Sequence, residues 1–128
     1  MSRKILSSPD APPAIGPYSQ GVHTGSFIFL SGQIPLVRDT GKFPDGGITE
    51  QTEQVIANIK ALLATQSLDL TDVVKATVFL ADMNEFTSMN EVYMKHFTAP
   101  YPARSTVQVA RLPKDARVEI EVIVQVRS

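Results

Sequence analysis

Val74-Lys75-Ala76-Thr77-Val78-Phe79-Leu80-Ala81 is the stretch that decides the architecture. Its β-branched residues predict a strand, with Val74, Ala76, Val78 and Leu80 on one face and Thr77, Phe79 and Ala81 on the other. Both faces are largely apolar, so both need cover. Phe27-Ile28-Phe29-Leu30 is two-sided in the same way.

Working outward, the spacing predicts a helix on each side of this strand. Before it, Val55, Ile56, Ile59, Leu62 and Leu63 recur on one helical face, with Thr49 suited to the N-cap and Glu50 and Glu53 in the first turn. After it, Asn84 is placed to cap a second helix with the stripe Phe86, Met89, Asn90, Tyr93, Met94 and Phe97, ended by Pro100 and Pro102. Ile5-Leu6 predicts a short first strand. Ser7 to Pro17 is irregular, because Pro9, Pro12, Pro13 and Pro17 interrupt any ladder. Tyr18 to His23 and Phe27 to Ser31 read as a strand pair around Thr24-Gly25-Ser26. Gly32 to Gly47 is a long connection, a length that is often functional and otherwise a surface flap. Arg104 to Ala110 and Arg117 to Val126 read as two more strands, a hairpin around Leu112-Pro113-Lys114-Asp115. The expected fold is α+β, a mixed sheet with two helices on one face. Two helices leave the other apolar face bare, so the chain is expected to associate with copies of itself.

The 128 residues fit one domain spanning 1–128. Twelve basic and 13 acidic residues give a net charge of −1, without the basic excess that phosphate binding favours, so a nucleic-acid partner is not expected. There is no cysteine, which excludes disulfides, thiolate metal sites and a thiol nucleophile. Met1-Ser2-Arg3-Lys4-Ile5-Leu6-Ser7-Ser8 lacks the apolar segment of a secretory signal, and no run is long enough for a membrane span. The expected location is cytoplasmic.

Several residues are candidates for chemistry. Arg104, where Tyr101-Pro102 hands over to a strand, either presents its planar fork to a carboxylate or is a solvated strand-end charge. Glu119 shares a strand face with Glu121, Ile123 and Gln125, opposite Val118, Ile120, Val122, Val124 and Val126. It is either part of a wet face or a group that positions water. Asn90, on an apolar stripe, satisfies nearby backbone or faces a polar cleft. Tyr18 follows Gly16-Pro17 and packs in the core or offers its phenol. Ser31-Gly32 ends a strand where backbone can approach closely, so the Gly32 N–H is an anion donor or part of a plain turn. Leu30-Ser31-Gly32-Gln33 is not a nucleophile elbow. His23 and His96 have no carboxylate or histidine at ligand spacing, so no metal is expected. No phosphate loop or dinucleotide fingerprint occurs, and no cofactor is expected.

Taken together, several segments resemble the Rid family of reactive-intermediate (imine) deaminases, most closely its RidA subgroup. These are Ala14-Ile15-Gly16-Pro17-Tyr18-Ser19-Gln20-Gly21, Ser31-Gly32-Gln33-Ile34-Pro35, Lys75-Ala76-Thr77-Val78-Phe79-Leu80, Met83-Asn84-Glu85-Phe86 and Asn90-Glu91-Val92-Tyr93. The strongest are Tyr101-Pro102-Ala103-Arg104-Ser105-Thr106 and Val109-Ala110-Arg111-Leu112-Pro113-Lys114-Asp115-Ala116-Arg117-Val118-Glu119-Ile120-Glu121. The resemblance implies a chorismate-mutase-like fold and a homotrimer whose sheets form a barrel, with clefts between subunits. It implies a carboxylate-binding arginine at Arg104 and a water-holding acid at Glu119, with Tyr18, Ser31, Gly32 and Asn90 completing the cleft. Many relatives carry cysteine where this chain has Thr106, which puts a thiol role in doubt and leaves Thr106 as a cleft residue. The implied substrates are 2-imino acids such as 2-iminobutanoate and 2-iminopropanoate, with their enamine tautomers, released by pyridoxal-phosphate dehydratases. The products are 2-keto acids and ammonia. Alternative readings are an endoribonuclease or translation inhibitor, and a non-catalytic small-ligand-binding or chaperone-like protein.

Overall fold

The computed structural model describes residues 3–127. The ends of the expected 1–128 domain, and the reading of Met1-Ser2, therefore lie outside the described residues.

The β-branched stretch forms β4, Val73–Leu80, and sits inside a six-stranded sheet. Around it run β1 (Lys4–Leu6), β2 (Gly21–His23), β3 (Phe27–Leu30), β5 (Ala103–Gln108) and β6 (Val118–Gln125), in the order β1-β2-β3-β6-β4-β5. β4 pairs antiparallel with β6 and parallel with β5, so the sheet is mixed. This corrects the expected hairpin: β5 and β6 flank β4 and do not pair with each other. The turn at Leu112–Asp115 is instead a crossover, a short 3-10 turn over Pro113–Asp115 with positive φ at Lys114 and Asp115. A hairpin would have left β4 at the edge, whereas its apolar residues are buried by a strand on each side.

The faces follow the alternation with one exception. A bulge between Val73 and Lys75 puts Val73, and not Val74, in register with Ala76, Val78 and Leu80 toward the core; Val74 is exposed. Along β6, Val118, Ile120, Val122 and Val124 face inward, as predicted.

Helices α1 (Ile48–Ala64) and α2 (Phe86–His96) cover that inner face. α1 buries Val55, Ile56, Ile59, Leu62 and Leu63 completely, each worth about 1.5–3 kcal/mol of transfer free energy. It starts two positions earlier than a cap at Thr49 would allow. Ile48 is buried and so belongs to the helical face, Gly47 takes the N-cap, and the Glu50 carboxylate accepts from the Gly47 N–H at 2.8 Å. Asn84 does not cap α2 either. The Asp82 side chain accepts from the Asn84 N–H at 2.9 Å, capping a 3-10 turn over Met83–Glu85 that leads into the helix. α2 ends at His96, before both prolines. Tyr18 to Gln20 lies outside β2, and β5 stops at Gln108, opposite Leu80, where its partner β4 ends.

Among the described residues no helix covers the opposite face. Phe27 and Phe29 are 39% and 45% exposed there; Ile123 lies directly across from Phe29, and Phe79 shares the face two strands away.

Candidate active site

Arg104 lies opposite buried Ala76 in the parallel β4–β5 register, so its side chain leaves the sheet on the helical side. There it meets α2. Its Nη1 donates to Asn90 Oδ1 at 2.7 Å, and Cζ stands 4.6 Å from the Tyr93 ring centroid and 5.6 Å from that of Phe86. The half-buried guanidinium has no carboxylate partner among the described residues; the paired arginines are Arg111, Arg117 and Arg127. A cavity of about 360 Å³ opens beside it, lined by Asn90, Tyr93, Met94, Tyr101, Pro102 and Arg104. A cationic fork in a mainly apolar cleft is suited to a small carboxylate. Asn90 thus faces the cleft and its amide is used by Arg104, which decides between its two sequence readings. Met94, expected on the buried stripe, is exposed at the rim. Thr106 projects from the same face as Arg104, and its Oγ1 is buried without a hydrogen-bond partner among the described residues.

Glu119 leaves the sheet on the other side. It pairs with Phe79 and alternates with buried Val118 and Ile120. Burial, reinforced by nearby Glu121, raises its pKa above the ordinary carboxylate value. Its carboxylate rests against Gly32, where a Cβ would fall 2.0 Å from Oε2, so the missing side chain is what makes room. Gly32 is held there by its neighbour. Gln33 N–H donates to Ile120 O at 2.8 Å, and Ile120 N–H donates back to Gln33 O at 3.2 Å. Among the described residues the Gly32 N–H meets no acceptor. Ser31 Oγ donates to Ser19 O at 2.5 Å and its N–H to Gln20 O at 2.9 Å, so Ser31 fastens the Tyr18–Gln20 segment and its hydroxyl is occupied. Tyr18 is half exposed, refuting core packing, and borders a small pocket with Gly32 and Gln33.

The predicted residues thus form two half-sites. Arg104, Asn90 and Thr106 share one face of the sheet; Glu119, Gly32, Ser31 and Tyr18 gather at the other. Arg104 and Glu119 are three residues apart along the strands and two strands apart across them, roughly 10 Å in each direction. They point to opposite sides. One chain does not bring them together.

The sequence reading missed the aromatic lining of the Arg104 cavity, Tyr93 and Tyr101, and the buried amides that fix the loops. Asn58 donates to Ile34 O and Leu36 O at 3.2 and 3.0 Å, tying the Gly32–Gly47 connection to α1. Gln51 accepts from the Arg117 N–H at 2.9 Å, holding the approach to β6. Their signal was present: Gln51, Val55, Asn58 and Leu62 share one helical stripe, and polar amides there need partners. His96 does meet a carboxylate in space, Glu53 at 2.6 Å, in an ion-pair cluster with Lys60 and Lys95 away from both half-sites.

A family profile described as Endoribonuclease L-PSP matches residues 8–126. The chain belongs to this family, which contains the Rid proteins. A RutC family protein of Pyrococcus abyssi is 50% identical over 123 residues, covering 96% of this chain and 97% of that protein. The 2-iminobutanoate/2-iminopropanoate deaminase of Bos taurus is 48% identical over 121 residues, covering 94% of this chain and 88% of that protein. The crystal structure of Escherichia coli TdcF with bound serine superposes with a TM-score of 0.90 at 47% identity, covering 98% and 99% of the two chains. Rid relatives named as reactive intermediate deaminases support an enzyme that acts on imines. No helix among the described residues is long and apolar enough to cross a membrane.

Proposed function

We propose that this Rid protein is a deaminase of the RidA type, hydrolysing 2-imino acids such as 2-iminobutanoate and 2-iminopropanoate to 2-keto acids and ammonia. The observation that carries this is Arg104: a half-buried guanidinium without a carboxylate partner among the described residues, oriented by Asn90 at the mouth of a cleft. Its fork receives the substrate carboxylate, and the unengaged Gly32 N–H supplies a further donor. Glu119, seated against Gly32, orients a water toward the imine carbon and takes its proton. The new C–O bond converts C=N to a carbinolamine. Protonation of nitrogen and collapse to C=O then release ammonia and the keto acid. Tyr18 and Asn90 line the cleft.

Because Arg104 and Glu119 face opposite sides of one sheet, the working site is assembled from two copies. A homotrimer closing on the exposed Phe27–Phe29 face is the proposed assembly. Imines released by pyridoxal-phosphate dehydratases in the cytoplasm are the proposed source. The chemistry needs only water and side chains, so the proposal includes no metal or organic cofactor.

An amino-acid oxidase generates the imino acid in situ, and semicarbazide competes for it. Wild-type protein is expected to lower semicarbazone formation, and Arg104→Ala to abolish that effect. Undiminished competition by Arg104→Ala would remove the carboxylate anchor from the mechanism.

A further inference from the structure

The guanidinium of Arg104 does not lie on the protein by its Asn90 hydrogen bond alone. Tyr93 is 4% exposed, and its ring is sandwiched between Arg104, at 4.6 Å, and the fully buried Phe97 ring, stacked at 4.1 Å between centroids with 13° between planes. The three groups form a column running from the cleft into the core. A cation over a π face is held electrostatically, and more strongly where water is excluded. The Tyr93 hydroxyl, by contrast, is buried with no hydrogen-bond partner among the described residues, and burial raises its pKa, so it is neither used by a described neighbour nor ionised at neutral pH.

We infer that Tyr93 is a positioning residue for substrate binding: its ring, and not its hydroxyl, fixes the plane in which Arg104 presents its two outer nitrogens to a carboxylate. Asn90 fixes one nitrogen and leaves rotation about that bond open. The ring removes this freedom, so the fork is preorganised before ligand arrives. The grip on the carboxylate is present in the ground and transition states alike, so loss of the platform raises KM and leaves kcat near its wild-type value. This rests on the assignment of Arg104 as carboxylate anchor.

The test measures binding of 2-oxobutanoate by calorimetry and imine turnover by the semicarbazide assay, on the assembled protein. Tyr93→Phe is expected to bind within about twofold of wild type and Tyr93→Leu about tenfold more weakly. Phenylalanines of increasing ring fluorination at position 93 drain the π face without changing its shape, and should weaken binding stepwise while kcat holds. A flat fluorination series, or equal losses in Tyr93→Phe and Tyr93→Leu, would overturn the inference. If Tyr93→Leu does not fold, the fluorinated series decides alone. Arg104→Ala separates the two levels: if it binds 2-oxobutanoate as wild type does, the anchor itself is wrong. If it does not bind while the fluorination series stays flat, only the role of Tyr93 falls.

Discussion

Glu119 shows how one side chain couples chemistry to stability. Its pKa is raised by burial first and by Glu121 second, so the folded state holds the proton more tightly than the unfolded chain does. The stabilisation of that proton is complete below the unfolded carboxylate value, about 4.3, and is lost as pH rises through the higher folded value. Glu119→Gln keeps the shape and cannot ionise. Its melting temperature should therefore match wild type near pH 4 and exceed it at pH 7, as followed by circular dichroism. The same variant should lose about 10²-fold or more in deamination rate, because the amide accepts no proton from water. Wild-type turnover should fall as pH drops through the folded pKa of Glu119, a limb that Glu119→Gln lacks.

At the scale of elements, α1 is both a wall of the core and a brace for the half-site opposite Arg104. Asn58 is 1% exposed and satisfies two loop carbonyls while its own Oδ1 accepts from Gln54 at 2.9 Å. This makes the Gly32–Gly47 connection a fixed structure at its start, because Ile34 and Leu36 are tethered two and four residues beyond Gly32. Asn58→Ala leaves the Leu36 carbonyl without its donor, while Ile34 O keeps the Leu36 N–H at 2.8 Å, and should destabilise the protein by about 1–3 kcal/mol in urea unfolding. The sequence carried the apolar stripe of α1, whose period is local, but not where its amides reach. Asn58 and Leu36 are neighbours only because the chain folds back. The same reason explains the failed hairpin: β5 and β6 are close in sequence and both strand-like, and nothing local says that β4 inserts between them. Cap positions shifted because burial of Ile48 outweighed the preference of Thr49 for an N-cap.

For the molecule as a whole, the question is what covers the second face of the sheet. Phe27 and Phe29 stand exposed on it, with Ile123 directly across from Phe29, large apolar side chains unsuited to water. Phe29→Glu, which leaves the helix-side core untouched, should dissociate the assembly to monomers in sedimentation and abolish activity with it. The opposed directions of Arg104 and Glu119 give a sharper expectation. Arg104→Ala and Glu119→Gln chains, each strongly impaired alone, should recover turnover well above either one's residual rate when unfolded and refolded together, since a mixed assembly can build a site from the intact half of each. The sequence by itself determined the helical and strand periodicities, the two-sided apolar sheet and, through motifs in register, the residues that matter. Only the tertiary structure decided which strand each one neighbours and which way it points. Periodicity assigns a side chain to a face of its own element, but which face of the sheet that becomes depends on contacts between residues far apart in the chain.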